Sequence, residues 1–209
     1  LEVLERTGVK MTHPRGVELL AGAGARVEGN RVRIPSWMVE DAIRKAPSRV
    51  VLGNRSGERS VFLGGDKSWF GPSLDCIDYL DPFTDKRKRF TSEHCRITAT
   101  LADALPNFDW SMIIGMADDQ PPDIADRVIV RQALTYCEKP LVFCCKDTNS
   151  ERDIYELALL ICGGKDNFEK APTIVQYSEP ISPLEYYDPA VDKMIFTVEH
   201  GIPLINFPA

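Results

Sequence analysis

Four apolar runs recur along the second half of the chain at intervals of roughly 30 residues: Trp110–Ala117, Pro140–Lys146, Thr173–Ser178 and Pro203–Phe207. They are continuous rather than alternating in polarity, which is the pattern that burial on both faces of a parallel sheet produces. Between and before them lie segments with helical spacing of apolar residues, Ser92–Ala104, Asp123–Glu138, Ser150–Cys162 and Asp188–His200. The interval fits one strand, a crossover helix and the return to a parallel neighbour. Ser68–Gly71 reads as an additional first strand, followed by a long loop through Arg89. A doubly wound dinucleotide fold would want G-x-G-x-x-G after that strand, and no such stretch occurs. The predicted fold class is therefore α/β, a (β/α)8 TIM barrel. Five strands with four helices make about half of such a barrel. The chain closes on the strand-like stretch GIPLINFPA and begins on Leu1, so an N-terminal partial barrel is expected.

Residues 1–65 have a different texture and are expected to form a small α+β lead-in segment, with residues 66–209 as the barrel portion. Leu1–Arg6 and Arg15–Ala23 have helical spacing, and Pro35 opens a third helix that runs to Ala46. Arg49–Leu52 and Ser60–Leu63 read as extended runs separated by the turn-rich Gly53–Gly57. A hydrophobic content of 44% supplies a packed core, and a net charge of −6 argues against a nucleic-acid surface. The one basic cluster, Lys86-Arg87-Lys88-Arg89, sits beside Asp81 and Asp85 and reads as a solvated loop. Six cysteines without a C-x-x-C pair, no signal peptide and no long apolar span together predict a cytoplasmic protein without a membrane partner. Adjacent Cys144 and Cys145 point to opposite faces of a strand, so no metal site is expected from them.

In a barrel the chemistry belongs at the C-terminal ends of the strands. Here those ends are Phe70-Gly71-Pro72-Ser73, Gly115–Asp118, Cys145–Asp147, Tyr177–Pro180 and Asn206-Phe207-Pro208. The candidate substrate-binding residues among them are Phe70, Asp118, Tyr177, Ser178, Glu179 and Phe207. His13, His94 and His200 fall elsewhere, and no nucleophile–base pair is visible, so no catalytic residue is named. Tyr177 and Glu179 are two apart on an extended segment and can offer a ring and a negative charge to one ligand. A cationic amine, and above all a quaternary ammonium with no N–H to donate, suits that pair. The bland alternative has Tyr177 packed on the barrel wall and Glu179 capping the next helix or pairing with Lys146. Asp118 and Asp119 precede a helix and can equally be caps. Cys145 reads as core packing beside Lys146 rather than as a reactive thiol.

Ordered strings along the chain carry a family resemblance. L-E-x-L-E-x-T-G-V (Leu1–Val9), G-A-R-V (Gly24–Val27) and R-V-R-I-P (Arg31–Pro35) are followed by Tyr79–Pro82, Leu101–Asn107, Ser178–Leu184 and Gly201–Leu204. In that order they resemble the trimethylamine methyltransferase superfamily, the methylamine and glycine betaine:corrinoid protein methyltransferases. The resemblance implies a (β/α)8 barrel that moves a methyl group from a methylated amine to the cobalt of a corrinoid. The amine would be a quaternary one such as glycine betaine, or trimethylamine. The corrinoid (cobalamin) would be carried by a partner corrinoid protein and not bound tightly by this chain, and a homo-oligomer is expected. The position at which some members use pyrrolysine lies beyond Ala209. A quaternary amine is favoured, as much because such members are abundant in the family as because it is already charged and no strand end offers a special electrophile. Two rival readings are a non-catalytic amine-binding or corrinoid-docking module and a zinc-dependent barrel methyltransferase.

Overall fold

A computed structural model describes residues 1–73 and 76–207; Pro208, the last position of the predicted strand end Asn206-Phe207-Pro208, lies outside them. The first part of the chain forms α1 (Glu2–Arg6), β1 (Val9–Met11), α2 (Pro14–Gly22), β2 (Arg26–Glu28), β3 (Arg31–Arg33), α3 (Ser36–Lys45), β4 (Val50–Gly53) and β5 (Arg59–Leu63). Then come β6 (Asp78–Asp81), β7 (Lys86–Arg89), α4 (Ser92–Ala104), β8 (Ser111–Met112), α5 (Ala125–Tyr136), β9 (Leu141–Phe143) and α6 (Thr148–Cys162). The chain continues through α7 (Lys165–Lys170), β10 (Ile174–Ser178), β11 (Glu185–Tyr186), α8 (Asp188–Glu199) and β12 (Leu204–Asn206).

The central sheet has the order β8-β9-β10-β12, with every neighbouring pair parallel. Ser111, Leu141 and Ile174 lie level, as do Gln176 and Leu204. Strand alternation sends Leu141, Phe143 and Ile174 into a core shared with Ile129 and Val130 of α5 and with Ile154 and Ala158 of α6. The intervening residues Met112, Val142 and Val175 face the other way, onto Leu52 of β4 and Val61 of β5. Both faces are thus apolar, which is the physical reason that these strands read as unbroken hydrophobic runs.

The β4–β5 hairpin closes the end of the sheet at which the strands begin. The Gly53 N–H donates to the Pro172 carbonyl and the Arg55 N–H to the Glu138 carbonyl, both at 2.8 Å. Only a glycine fits there, because a Cβ on Gly53 would lie 2.5 Å from the Ala171 oxygen. The second sheet, β11-β1-β3-β2, joins the N-terminal segment to the later chain, with Lys10 level with Glu185 in a parallel pair. Val9, Met11 and Val32 pack there against Val191 of α8. His13 caps α2 through Nδ1, which accepts from the Gly16 N–H at 3.0 Å, and its Nε2 lies 2.8 Å from the Asp192 carboxylate.

Several expectations are corrected. Ser68–Gly71 is not a strand; Phe70 pairs with Asp109 alone, its carbonyl accepting from the Asp109 N–H at 2.7 Å and its N–H donating to Asp109 Oδ2 at 2.8 Å. The Trp110 ring presses on Gly71 and Pro72 has no N–H, so the ladder stops. The long loop before Arg89 is instead the antiparallel hairpin β6–β7, so the basic cluster is a strand. Its cations are exposed, yet Arg87 and Arg89 pair with Asp78, and Lys88 pairs with Asp81. The predicted strand 110–117 keeps regular pairing only at Ser111 and Met112, then makes a single parallel bridge from Gly115 to Cys76. Helix α7 and strand β11 were not expected at all. Among the described residues no helix is long and apolar enough to cross a membrane.

Candidate functional site

Strand β10 delivers its last residues to the C-terminal end of the sheet. Tyr177 follows Val175 on the face turned away from the helices and packs in the same cluster. Ser178 points the opposite way and is buried, while its carbonyl accepts from the Phe207 N–H at 3.0 Å and so ties the end of β12 to that of β10. That bond sets the Phe207 ring beside Tyr177, with centroids 6.4 Å apart and planes inclined by 21°. The Tyr177 hydroxyl donates to Glu179 Oε1 at 2.7 Å, which holds an exposed carboxylate at the tip of the Tyr177 ring. Two aromatic faces and one oriented negative charge therefore meet at one strand end.

Of the bland alternatives, wall packing of Tyr177 is seen, since it packs on the cluster that holds Val175, whereas the two alternatives for Glu179 are not. Lys146 pairs with Asp123, not with Glu179, and the N-cap of α8 is Tyr187. Among the described residues Glu179 is in no salt bridge. Asp118 stands exposed past the end of β8, its N–H bonded to the Phe90 carbonyl at 3.0 Å. It is two strands across from Tyr177 and six residues past the end of β8. Its neighbour Asp119 is a cap: its carboxylate accepts from the Ser92 N–H at 2.7 Å and hydroxyl at 2.6 Å, which holds it below the usual carboxylate range.

Phe70 is not brought to this end. It lies beside Asp109, two residues before the level of Ser111 and Ile174, whereas Tyr177 lies three residues beyond that level. The separation along the strands is roughly 15 Å, so Phe70 and Tyr177 sit at opposite ends of the sheet. The structure thus assembles Tyr177, Glu179 and Phe207, with Ser178 as the tether, and leaves Asp118 two strands away and Phe70 at the opposite end of the sheet.

Cys145 is buried, and burial pushes its thiol far up, away from a reactive thiolate. Its carbonyl accepts from the buried Lys193 Nζ at 2.7 Å. That lysine belongs to a polar group on the helix side of the sheet that sequence reasoning missed. Glu151 of α6 has no exposure and accepts from the Thr197 hydroxyl of α8. Burial pushes its carboxyl up to about 7, only partly opposed by the Thr197 hydroxyl and the nearby Lys193 charge. Gln176, a polar residue inside the run Ile174–Ser178, is also fully buried on this side. The one sequence hint of buried polarity on this side was Gln176, an amide in a strand whose faces are both covered.

Chemically, the ring pair with its carboxylate can hold a cation that lacks N–H groups. Among the described residues no cluster of His, Cys, Asp and Glu is arranged to hold a metal ion.

Comparison with known proteins adds to this. Residues 1–209 match the family model described as trimethylamine methyltransferase (MTTB). The chain is 27% identical over 206 residues to the trimethylamine methyltransferase MttB of Desulfitobacterium hafniense (strain DSM 10664 / DCB-2), covering 98% of this chain and 42% of that protein. It is 25% identical over 205 residues to the glycine betaine methyltransferase of Desulfitobacterium hafniense (strain Y51), covering 96% of this chain and 42% of that protein. The chain therefore spans 42% of the length of the curated relatives it matches.

Proposed function

The chain belongs to the trimethylamine methyltransferase family, and from that premise we propose that its sheet is an arc of a (β/α)8 barrel that takes a methyl group from a methylated amine. The acceptor in this reading is the cobalt of a corrinoid carried by a separate protein. Consecutive strand order with all pairs parallel supports the barrel, because singly wound β/α units add each strand beside the last. The observation that carries the substrate reading is the Tyr177–Phe207 ring pair with the Glu179 carboxylate bonded to the Tyr177 hydroxyl.

A quaternary ammonium such as glycine betaine offers methyl groups and a positive charge but no hydrogen-bond donor. Ring faces attract it through their quadrupole, and a nearby carboxylate balances its charge. Removing one methyl group expels a neutral amine, so the chain's task is to align one N–CH3 bond and to exclude water around an ion that is already charged. Tyr177 and Phe207 supply the wall for that, and Glu179 fixes the ammonium at the open end. The corrinoid would supply the cobalt nucleophile, and the exposure of Glu179 and Phe207 leaves that end open to the protein that carries it. The six cysteines are not joined in disulfides, which supports a cytoplasmic location, and homo-oligomerisation belongs to the same reading.

Glu179→Gln and Tyr177→Leu in the full-length protein test the site. Titration calorimetry with glycine betaine and with trimethylamine should show affinity reduced about 2- to 30-fold for Tyr177→Leu, the equivalent of about 0.5–2 kcal/mol of cation–π attraction. Glu179→Gln should weaken binding as well, with Tm little changed because the shape is kept. Unchanged affinity combined with a lowered Tm would assign both residues to wall packing and end the substrate reading.

A further inference from the structure

The β6–β7 hairpin stands at the same end of the sheet as Tyr177. Cys76, just before it, donates its N–H to the Ile114 carbonyl at 2.8 Å and accepts from the Met116 N–H at 3.0 Å. Phe90, just after it, lies against Gly115, where a Cβ would come 2.4 Å from the ring. Both anchors lie beyond the last paired residue of β8, so the hairpin rises from the C-terminal rim.

Its two faces differ. Tyr79 turns inward, edge-on to Phe90 and 4.1 Å from the His94 ring centroid. Leu80 turns outward and is 64% exposed. The register sets Asp78 opposite Arg89 and Leu80 opposite Arg87, so the outer face carries two arginines, one leucine and a single carboxylate shared by both guanidinium groups. At the tip Phe83 is 94% exposed. The turn beneath it is built rather than slack: the Phe83 N–H donates to Asp81 Oδ1 at 2.9 Å, and Lys88 holds the same carboxylate. Those two contacts, Lys88 first, depress the Asp81 carboxyl to about 2, so the clamp stays charged through the whole neutral range.

An aromatic side chain presented on a stiff turn, beside a leucine and two arginines, has the composition of an interface centre. We propose that this hairpin is the docking element for the separate protein that brings the methyl acceptor. Phe83 and Leu80 enter an apolar depression on that partner, and Arg87 and Arg89 meet carboxylates around it. The proposal rests on the reading that the acceptor is carried by another protein. Position selects that occupant over a second copy of this chain, because the methyl group has to leave across this rim. Charge selects an acidic surface on it, because two guanidinium groups share one carboxylate. One hairpin offers a small contact, which suits a carrier that must arrive and leave at each turnover.

The test uses the full-length protein, its host's corrinoid carrier protein, and free cob(I)alamin as an acceptor that needs no docking. Phe83→Ser and the double variant Arg87→Glu/Arg89→Glu should each raise the KM for the carrier at least tenfold, while transfer to free cob(I)alamin stays within twofold of wild type. Direct titration of the carrier should show the same loss of affinity, and added salt should weaken wild-type binding far more than that of the double variant. Carrier affinity equal to wild type in both variants overturns the hairpin proposal, whatever the turnover. A drop in Tm with unchanged carrier affinity does the same, and places the hairpin in the protein's own packing. Carrier binding by wild type without methyl transfer to either acceptor would defeat the proposed activity, yet leave the hairpin standing if the variants lose that binding. Absence of wild-type carrier binding would overturn the hairpin proposal as well.

Discussion

Glu151 holds a carboxyl where no solvent-exposed surface remains, and its contribution to stability depends on pH in a definite direction. The native group keeps its proton up to about 7, whereas in the unfolded chain it ionises near the ordinary glutamate value of 4.5. Between those values the native state binds more protons than the unfolded one, so stability is greatest below the lower value and falls as pH rises through the upper. The loss is on the order of 3 kcal/mol. Glu151→Gln should remove that slope, so that Tm measured at pH 5 and pH 8 differs less than in wild type and the pH 8 value is the higher of the two proteins. An unaltered slope would assign the proton uptake to another group. Residues of this kind escape a sequence reading for a plain reason: Glu151 is in the first turn of α6, where acidic side chains usually face solvent. Tyr177 and Glu179 were legible because strand alternation is local. The stacking of Phe207 on Tyr177 was not, since it depends on β12 lying beside β10.

At the scale of elements, the hairpin base depends on one close approach. Gly115 allows the Phe90 ring to sit against the backbone, and Gly115→Ala must displace that ring, which packs on Tyr79 and His94. A loss of about 1–3 kcal/mol in urea unfolding is expected, as for other overpacked sites. No loss would mean that the ring relocates freely. The helices were readable from their 3.6-residue spacing, and the buried strands from their apolar runs. Strand β7 was not, because Lys86-Arg87-Lys88-Arg89 contains no apolar residue to alternate; it is a strand because Asp78 and Asp81 lie across from it. Strand β11 is two residues long, and nothing near Glu185 in the sequence announces its partner Lys10.

For the molecule as a whole, the N-terminal segment is not an appendage on a string. Its β4–β5 hairpin fills the underside of the central sheet, and its β1–β3 portion is completed by β11 and α8. Unfolding should therefore be a single transition. With Trp69 and Trp110 replaced by phenylalanine, fluorescence of Trp37 in α3 should report the same midpoint as far-ultraviolet circular dichroism of the whole chain. Two separated midpoints would show that the segments melt independently. The pairing of β1 with β11 also sets a clock. The Lys10 N–H finds its acceptor at Leu184, and its ammonium finds Glu185, 175 positions later. A ribosome adding about 5–20 residues per second needs roughly ten to thirty seconds to make that stretch. Throughout that interval Val9 and Met11 lack the cover of Val191, while the helices form in microseconds or less once synthesised. The nascent chain thus carries an uncovered apolar strand that chaperones can find, and β1 is translated well before the residues that shelter it.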